Sequence, residues 1–468
     1  MNPDSSRLQK TVVLNVVGLT ARLIGEHTPF LKQWAGAAHM SYIKPVLPAV
    51  TCSAQATYLT GQTPDRHGIV GNGWYFRDEC EVKLWRQSNK LVEGPKIWDI
   101  ARQADPHFTC ANMFWWYNMY SSADFSVTPR PQYLSDGRKL PDCYSHPADL
   151  RDRLQAQLGT FPLFDFWGPR TSIKSSRWIA DASKLTDEWH NPTLTLVYLP
   201  HLDYNLQRYG LDFSRISKDL REIDAVVQDL VTFYEHRGAR VIILSEYGIT
   251  DVDKAVDINR VLRRAGYIAV RDERGTELLD CGASQAFAVA DHQLAHVYVN
   301  DPTKMQAVKE LLLHTPGIET VLDAAGKQAH HLNHNRAGEL VAIANKNAWF
   351  TYYYWLDDAK APDFARIVDI HRKPGYDPVE MFADPEIKML ALKVGFTLLK
   401  KKLGFRYLMD IIPLDGSLVR GSHGRQPDND ADAPLLISRE TGGEKAIDAT
   451  KVMGIILRSL GILGTISA

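Results

Sequence analysis

Thr51 opens a helix-like run inside the stretch LPAVTCSAQATYLTGQTPDRHGIVGN, which spans residues 47–72. Pro48 suits a chain leaving a strand, and the Ala- and Thr-rich residues before Gly61 read as a short helix with Thr51 at its N-cap or first turn. Free backbone N–H groups and the helix dipole at that end favour a phosphate. A hydroxyl placed there can attack phosphorus; it can equally serve as an ordinary cap. Asn72 has the same two readings, because its amide can donate to a phosphate oxygen and Asn after Gly is a common turn residue. His67 reads as a structural hydrogen-bonder. Asp203 in PHLDYNLQRYG and Glu246 in IILSEYG each follow an apolar run, and Gln207 lies four residues beyond Asp203, on the same helical face. His423 stands in RGSHGR, with Arg420 and Arg425 close by. Two carboxylates and a histidine can hold a metal ion. Carboxylates at strand ends also cap helices.

These residues need elements that bring them together. TVVLNVVGL (11–19), TLTLVYL (193–199) and RVIILSEYG (240–248) are nearly free of polar residues, as strands covered on both faces of a parallel sheet are. Between the last two, Leu220, Ile223, Val227, Leu230 and Tyr234 recur at helical spacing, with Gly238 placed as a C-cap. That is a strand–helix–strand unit. The expected fold is therefore α/β: an open, mostly parallel sheet sandwiched by helices, with its site outside the carboxyl ends of the strands. Residues 1–250 and 421–468 are assigned to this core. Residues 251–420 are expected to continue it and to carry a cap-like insertion, since they mix a helix (INRVLRRAGY), short strands (AHVYVN, ELVAIA) and the aromatic stretch AWFTYYYWLDD. The apolar C-terminus, KVMGIILRSLGILGTISA, reads as a final helix on the core.

Composition narrows the partners. The chain has 468 residues, 45% of them apolar and 23% charged, with a net charge of −1. A sizeable core is expected, and nothing steers the chain as a whole to nucleic acid or a membrane. Cys52, Cys80, Cys110, Cys143 and Cys281 are scattered and lack metal or disulfide spacing. With an N-terminus that lacks the order of a signal peptide, they point to a cytoplasmic location.

Taken in order, the buried strand, the Thr51-to-Asn72 stretch, LPHLDYNLQRYG, IILSEYG and GSHG resemble the alkaline phosphatase superfamily, in its type I phosphodiesterase/nucleotide pyrophosphatase branch. The resemblance implies an alkaline phosphatase-like fold and a two-zinc site. In it a threonine nucleophile forms a phospho-threonine, and an asparagine holds a non-bridging oxygen. Thr51 and Asn72 match those two roles, and Asp203 and His423 match two ligands of one metal. Three positions depart. The family's Asp before the Gly that ends the first strand is Val17, the His of its DxxxH is Gln207, and its SDHG is SEYG, with Glu246 and Tyr247. Val cannot bind a metal, and neutral Tyr is a poor zinc ligand.

The expected function is thus hydrolysis of a small phosphate ester. Thr51 is the nucleophile, Asn72 an oxygen holder and Glu246 a general base. Asp203, His423 and Gln207 hold at most one divalent ion, zinc first, or none. Arg420 and Arg425 supply positive charge, and Trp74 stacks on the substrate, as aromatic residues do in the resembling family. The alternative is a degenerate enzyme that binds a phosphate ester or a biosynthetic intermediate without turnover. Trp115, Trp116 and Tyr117 read as core. His371, Arg372 and Lys373 can reach an anionic substrate or form a solvated loop, and His371 or Asp377 are candidates to replace missing ligands.

Overall fold

The apolar run at the start of the chain becomes the strand Thr11–Val16, and every residue in it is buried. In the computed structural model, which describes residues 8–135, 138–439 and 443–462, this strand lies inside a nine-stranded mixed sheet. Leu194–Leu199 and Arg240–Leu244 flank it in parallel, and Cys110–Met113 and Phe125–Pro129 extend the parallel run on one side. Antiparallel partners enter toward the two edges, Leu435–Ser438 beside Arg240–Leu244 and Cys143–His146 beside Phe125–Pro129. The fold is α/β, as the alternation of apolar runs and helical periodicity requires.

Strand pleating sends alternate residues to opposite faces, and two hydrogen bonds identify what covers each. Thr11 Oγ1 lies 3.4 Å from Ser459 Oγ of the C-terminal helix Val452–Ser459. Val12 points the other way, in register with Thr195, whose hydroxyl meets Tyr234. Tyr234 belongs to the helix Phe213–His236, which carries the apolar stripe read from the sequence and packs on Ile173–His190. The last residues of the C-terminal apolar run, 463–468, lie outside the described residues, as do 1–7.

Strands between residues 251 and 420 do not join the nine-stranded sheet. Ala286–Asp291, Leu294–Val299, Leu340–Ala344 and Ile318–Leu322 form an antiparallel sheet of their own. It has its own apolar cluster, to which Tyr352, Tyr353, Tyr354 and Trp355 of the aromatic stretch belong. The hairpin turn after Asp291 reaches back to the main body: Gln293 N–H donates to the His423 carbonyl at 2.8 Å. Among the described residues no helix is long and apolar enough to cross a membrane.

Candidate active site

Thr51 is the first residue of a ten-residue helix, Thr51–Thr60, whose N-cap is Val50 and which ends at Gly61 in the left-handed region. Every residue of this helix is buried. A helix buried on all sides has its polar side chains inside the protein, so each must find a partner there. Thr51 Oγ1 lies 3.2 Å from the Tyr247 hydroxyl. Gln55, one turn on, donates to Glu246 Oε1, as does Asn15 from the first strand, and its own Oε1 accepts from Trp116 N–H at 2.7 Å. Glu246 thus lies between the first strand and the helix Thr51–Thr60. Glu246 Oε2 has no hydrogen-bond partner among the described residues. Burial pushes its pKa up to about 8, against the pull of the hydrogen bonds from Gln55 and Asn15.

Asp203 approaches from the helix His201–Tyr209. Its Oδ1 accepts from the Tyr247 hydroxyl at 3.1 Å and its Oδ2 from Gln207 Nε2 at 2.8 Å. Burial lifts its pKa to about 7 while both hydrogen bonds oppose the rise. Gln207 Oε1 in turn accepts from the Tyr376 hydroxyl at 3.1 Å. His423 places Nε2 3.9 Å from Asp203 Oδ1 and fixes its other nitrogen on the Ala49 carbonyl at 2.8 Å. Burial holds the imidazole neutral, with a pKa of about 3. Its ring lies flat on Tyr247, centroids 3.5 Å apart and planes 6° apart. His292 covers the other approach, 3.7 Å from both His423 and Tyr376.

Asn72 is held by Asp291. Its backbone N–H and its Nδ2 donate to the two carboxylate oxygens at 2.7 and 2.9 Å, and its Oδ1 accepts from Cys52 N–H at 3.1 Å. The amide that could meet a phosphate oxygen is engaged by a carboxylate, which burial brings to a pKa of about 7.

Thr51, Asn72, Asp203, Gln207, Glu246 and His423 therefore meet in one buried cluster. Arg420, Arg425 and Trp74 make none of these contacts. Arg420 is exposed. Arg425 pairs with Glu319 and Asp428, both at 2.8 Å, and lines a small cavity of about 20 Å³ together with Ala49, Tyr247, Gln293 and Lys346. Trp74 is 2% exposed, stacked on Phe76 in an apolar cluster with Trp116 and Tyr117. Lys373 is closed in an ion triad with Asp377 and Glu380, and Arg372 pairs with Asp363 at the surface. His371 stands 3.4 Å from the Leu84 carbonyl.

The donor set does not fit two metal ions. Val17 is wholly buried hydrocarbon, and burial keeps the Tyr247 phenol neutral by raising its pKa far above the ordinary value. That phenol hydroxyl spans the gap between Thr51 and Asp203. Asp203 and His423 remain as one facing carboxylate–imidazole pair, and His423 Nε2 has no hydrogen-bond partner among the described residues. This pair, with the Gln207 side chain, fits at most one ion.

Asn15, Gln55, Asp291, His292 and Tyr376 were not singled out from the sequence. Asn15 and Gln55 left a signal, each a polar residue in a stretch otherwise made to be buried, and such a group must be paired. The other three come from the 251–420 segment, far along the chain from the groups they touch.

Residues 11–377 match the type I phosphodiesterase/nucleotide pyrophosphatase family. The ectonucleotide pyrophosphatase/phosphodiesterase 2 of Saccharomyces cerevisiae is 24% identical over 259 residues, covering 52% of this chain and 48% of that protein. A pyrophosphatase/phosphodiesterase of Schizosaccharomyces pombe is 25% identical over 261 residues, covering 53% and 46%. The chain spans about half the length of these curated relatives. In fold it is similar to human ectonucleotide pyrophosphatase/phosphodiesterase 5, with a TM-score of 0.60 at 13% identity over 98% of this chain and 97% of that one. Murine phosphodiesterase 5 in an inactive threonine-to-alanine form with AMP gives 0.57 at 14% identity over the same shares. The match over residues 11–377 covers well over half of the sequence, and the chain belongs to the type I phosphodiesterase/nucleotide pyrophosphatase family.

Proposed function

We propose that this protein hydrolyses a small phosphate ester through Thr51. The observation that carries the reading is the position of Thr51 Oγ1, at the N-terminal turn of a buried helix, 3.2 Å from the Tyr247 hydroxyl, on the same helix whose Gln55 donates to Glu246. The helix end favours an anion. Glu246 is the nearest carboxyl able to take the threonine proton as Oγ1 attacks phosphorus; its raised pKa makes it a stronger base when ionised. Asn72, clamped by Asp291, holds the helix start through Cys52 N–H and lies beside the attacking group. Lys346 and Arg425, which line the cavity behind Tyr247, are the cations on the approach. The AMP held by the murine neighbour supports a nucleotide-like ester as ligand class.

One divalent ion at most is held, by Asp203 and His423 with Gln207 completing the set; bound there, it would polarise a phosphoryl oxygen. A reducing, cytoplasmic setting is supported by five cysteines that are all free.

A second reading has its own observation. Tyr376, His292, His423 and Tyr247 stack into a continuous column of rings beside Asp203. A site filled by its own aromatic side chains suits retention of an ester without turnover. Turnover of an aryl phosphodiester, measured with and without added zinc and compared with Thr51→Ala, separates the two. Catalysis predicts measurable turnover that falls by about a hundredfold or more in the variant. Binding of AMP by calorimetry in both proteins, with no turnover in either, favours the second reading. Neither turnover nor binding sinks both.

A further inference from the structure

The segment 387–409, IKMLALKVGFTLLKKKLGFRYLM, holds six cationic residues and no acidic one, in a chain whose net charge is −1. It lies beyond the 11–377 family match. Its core is the helix Leu390–Lys402, thirteen residues long. Met389, Leu392, Phe396, Leu399 and Leu403 recur at spacings of three and four, which places them on one helical face. That face looks outward. Met389 is 70% exposed, Leu392 63%, Phe396 60% and Leu403 64%, and beyond the helix Phe405 is 63% exposed. Amphipathic helices of globular proteins turn their apolar stripe to the core. This one turns it to solvent, while Thr397 on the other side is buried.

The cations stand where such a stripe would need them. By helical spacing Lys393 and Lys400 flank it on one side and Lys388 and Lys402 on the other. Lys400 lies over the Phe396 ring, its ammonium 4.7 Å from the centroid. Lysine stems alongside an apolar face, with their charges at its margins, suit a helix lying in the headgroup region of a bilayer. Thirteen residues are too short to span one. A second copy of this chain is a poor occupant: Lys393 is paired with Asp410 at 2.9 Å, and facing patches would still set the other five cations against five. An anionic surface offers both the apolar layer and the opposite charge.

We propose that residues 387–409 form a peripheral docking surface for an anionic lipid bilayer, with Phe396 and Leu392 entering the interface and the lysines meeting lipid headgroups. The neutral overall charge gave no sign of it, because this local excess is balanced by acidic residues elsewhere in the chain.

The test is co-sedimentation of the full chain with vesicles of phosphatidylcholine alone and of phosphatidylcholine with 30–40% phosphatidylserine, roughly the anionic loads at which polybasic segments bind. Binding should appear only with the anionic vesicles and weaken as salt is raised. Replacing Lys400, Lys401 and Lys402 by Gln should lower the partition coefficient by about a hundredfold, at about a fivefold loss for each surface cation. Leu392→Ser with Phe396→Ser should lower it by at least about tenfold. All these positions are on or beside the exposed face, so the melting temperature should stay within a few degrees of wild type and report intact folding. No binding to anionic vesicles overturns the proposal. So does binding that the serine pair leaves unchanged. A salt-insensitive dimer in light scattering that dissociates in the serine pair would assign the stripe to self-association and overturn it as well.

Discussion

At the residue scale, Thr51, Tyr247, Asp203 and Gln207 form one hydrogen-bonded network of side chains. Tyr247 gives its hydroxyl to Asp203 and meets Thr51, and Gln207 turns its amide to the same carboxylate. Replacing Val17→Asp, Gln207→His and Tyr247→His together should therefore raise metal affinity above that of the wild type. Because a bound ion stabilises only the folded state, added zinc should raise the melting temperature of the triple variant by several degrees and that of wild type by much less. Equal shifts would show that Asp203 and His423 already suffice for tight binding. Asp291 offers a second test. Two donors of Asn72 converge on its carboxylate, and Asn at that position leaves one of them facing another donor. Asp291→Asn should cost about 1–3 kcal/mol in urea unfolding. Thr51, Asn72, Asp203, Glu246 and His423 were legible because each sits at a break between an apolar run and a turn. Asp291 was not, since it lies 219 residues from the Asn72 it holds, and no local pattern encodes that contact.

At the scale of elements, what could be read was periodicity. The strands Thr11–Val16, Leu194–Leu199 and Arg240–Leu244 and the helix Phe213–His236 all lie within or across the runs that announced them. The strands of residues 251–420 were legible as strands, but their sheet membership was not, because an antiparallel pair and an extension of the main sheet share the same apolar alternation. The outward stripe of Leu390–Lys402 escaped for the opposite reason: its pattern is that of a core helix, and only the structure shows which way it faces. Helix ends were clearer. Gly61 ends the helix Thr51–Thr60 at φ +66°, and a Cβ there would stand 2.7 Å from Met453 Cε of the C-terminal helix. Gly61→Ala should therefore combine left-handed strain with a clash, lowering stability by about 1–2 kcal/mol. Turnover should fall with it, since Thr51 is positioned by the same helix. A chemical denaturation curve with an unchanged midpoint would mean that the C-terminal helix yields without cost.

For the molecule as a whole, the buried carboxyls set an uncommon response to pH. Burial raises Glu246 to about 8 and Asp291 to about 7 in the folded protein, against ordinary values near 4.3 and 3.9 in an unfolded chain. Between those limits the folded state holds protons that the unfolded state has released, so stability must decline as pH rises. The contribution is fully present below about pH 4 and is lost as pH passes through 7 and then 8. Each pKa unit corresponds to about 1.4 kcal/mol, against a total of about 5–15 kcal/mol for a folded protein, so the two groups weigh heavily enough to be seen. Carboxylates with lowered values act the other way, but at lower pH; Asp323, held at about 2 by Lys309, has completed its effect well below pH 5. Buried histidines act the other way up to about pH 6.5, with His423 and His67 held at about 3 and His296 at about 4, so it is from about pH 7 to 9 that the melting temperature should fall. Glu246→Gln keeps a neutral, hydrogen-bonding side chain at the centre of the cluster, and its decline over the same range should be visibly shallower than that of wild type. A wild-type melting temperature that is level or rising across this window would mean that Glu246 and Asp291 are ionised in the folded protein, and that the site is hydrated or occupied rather than closed on itself.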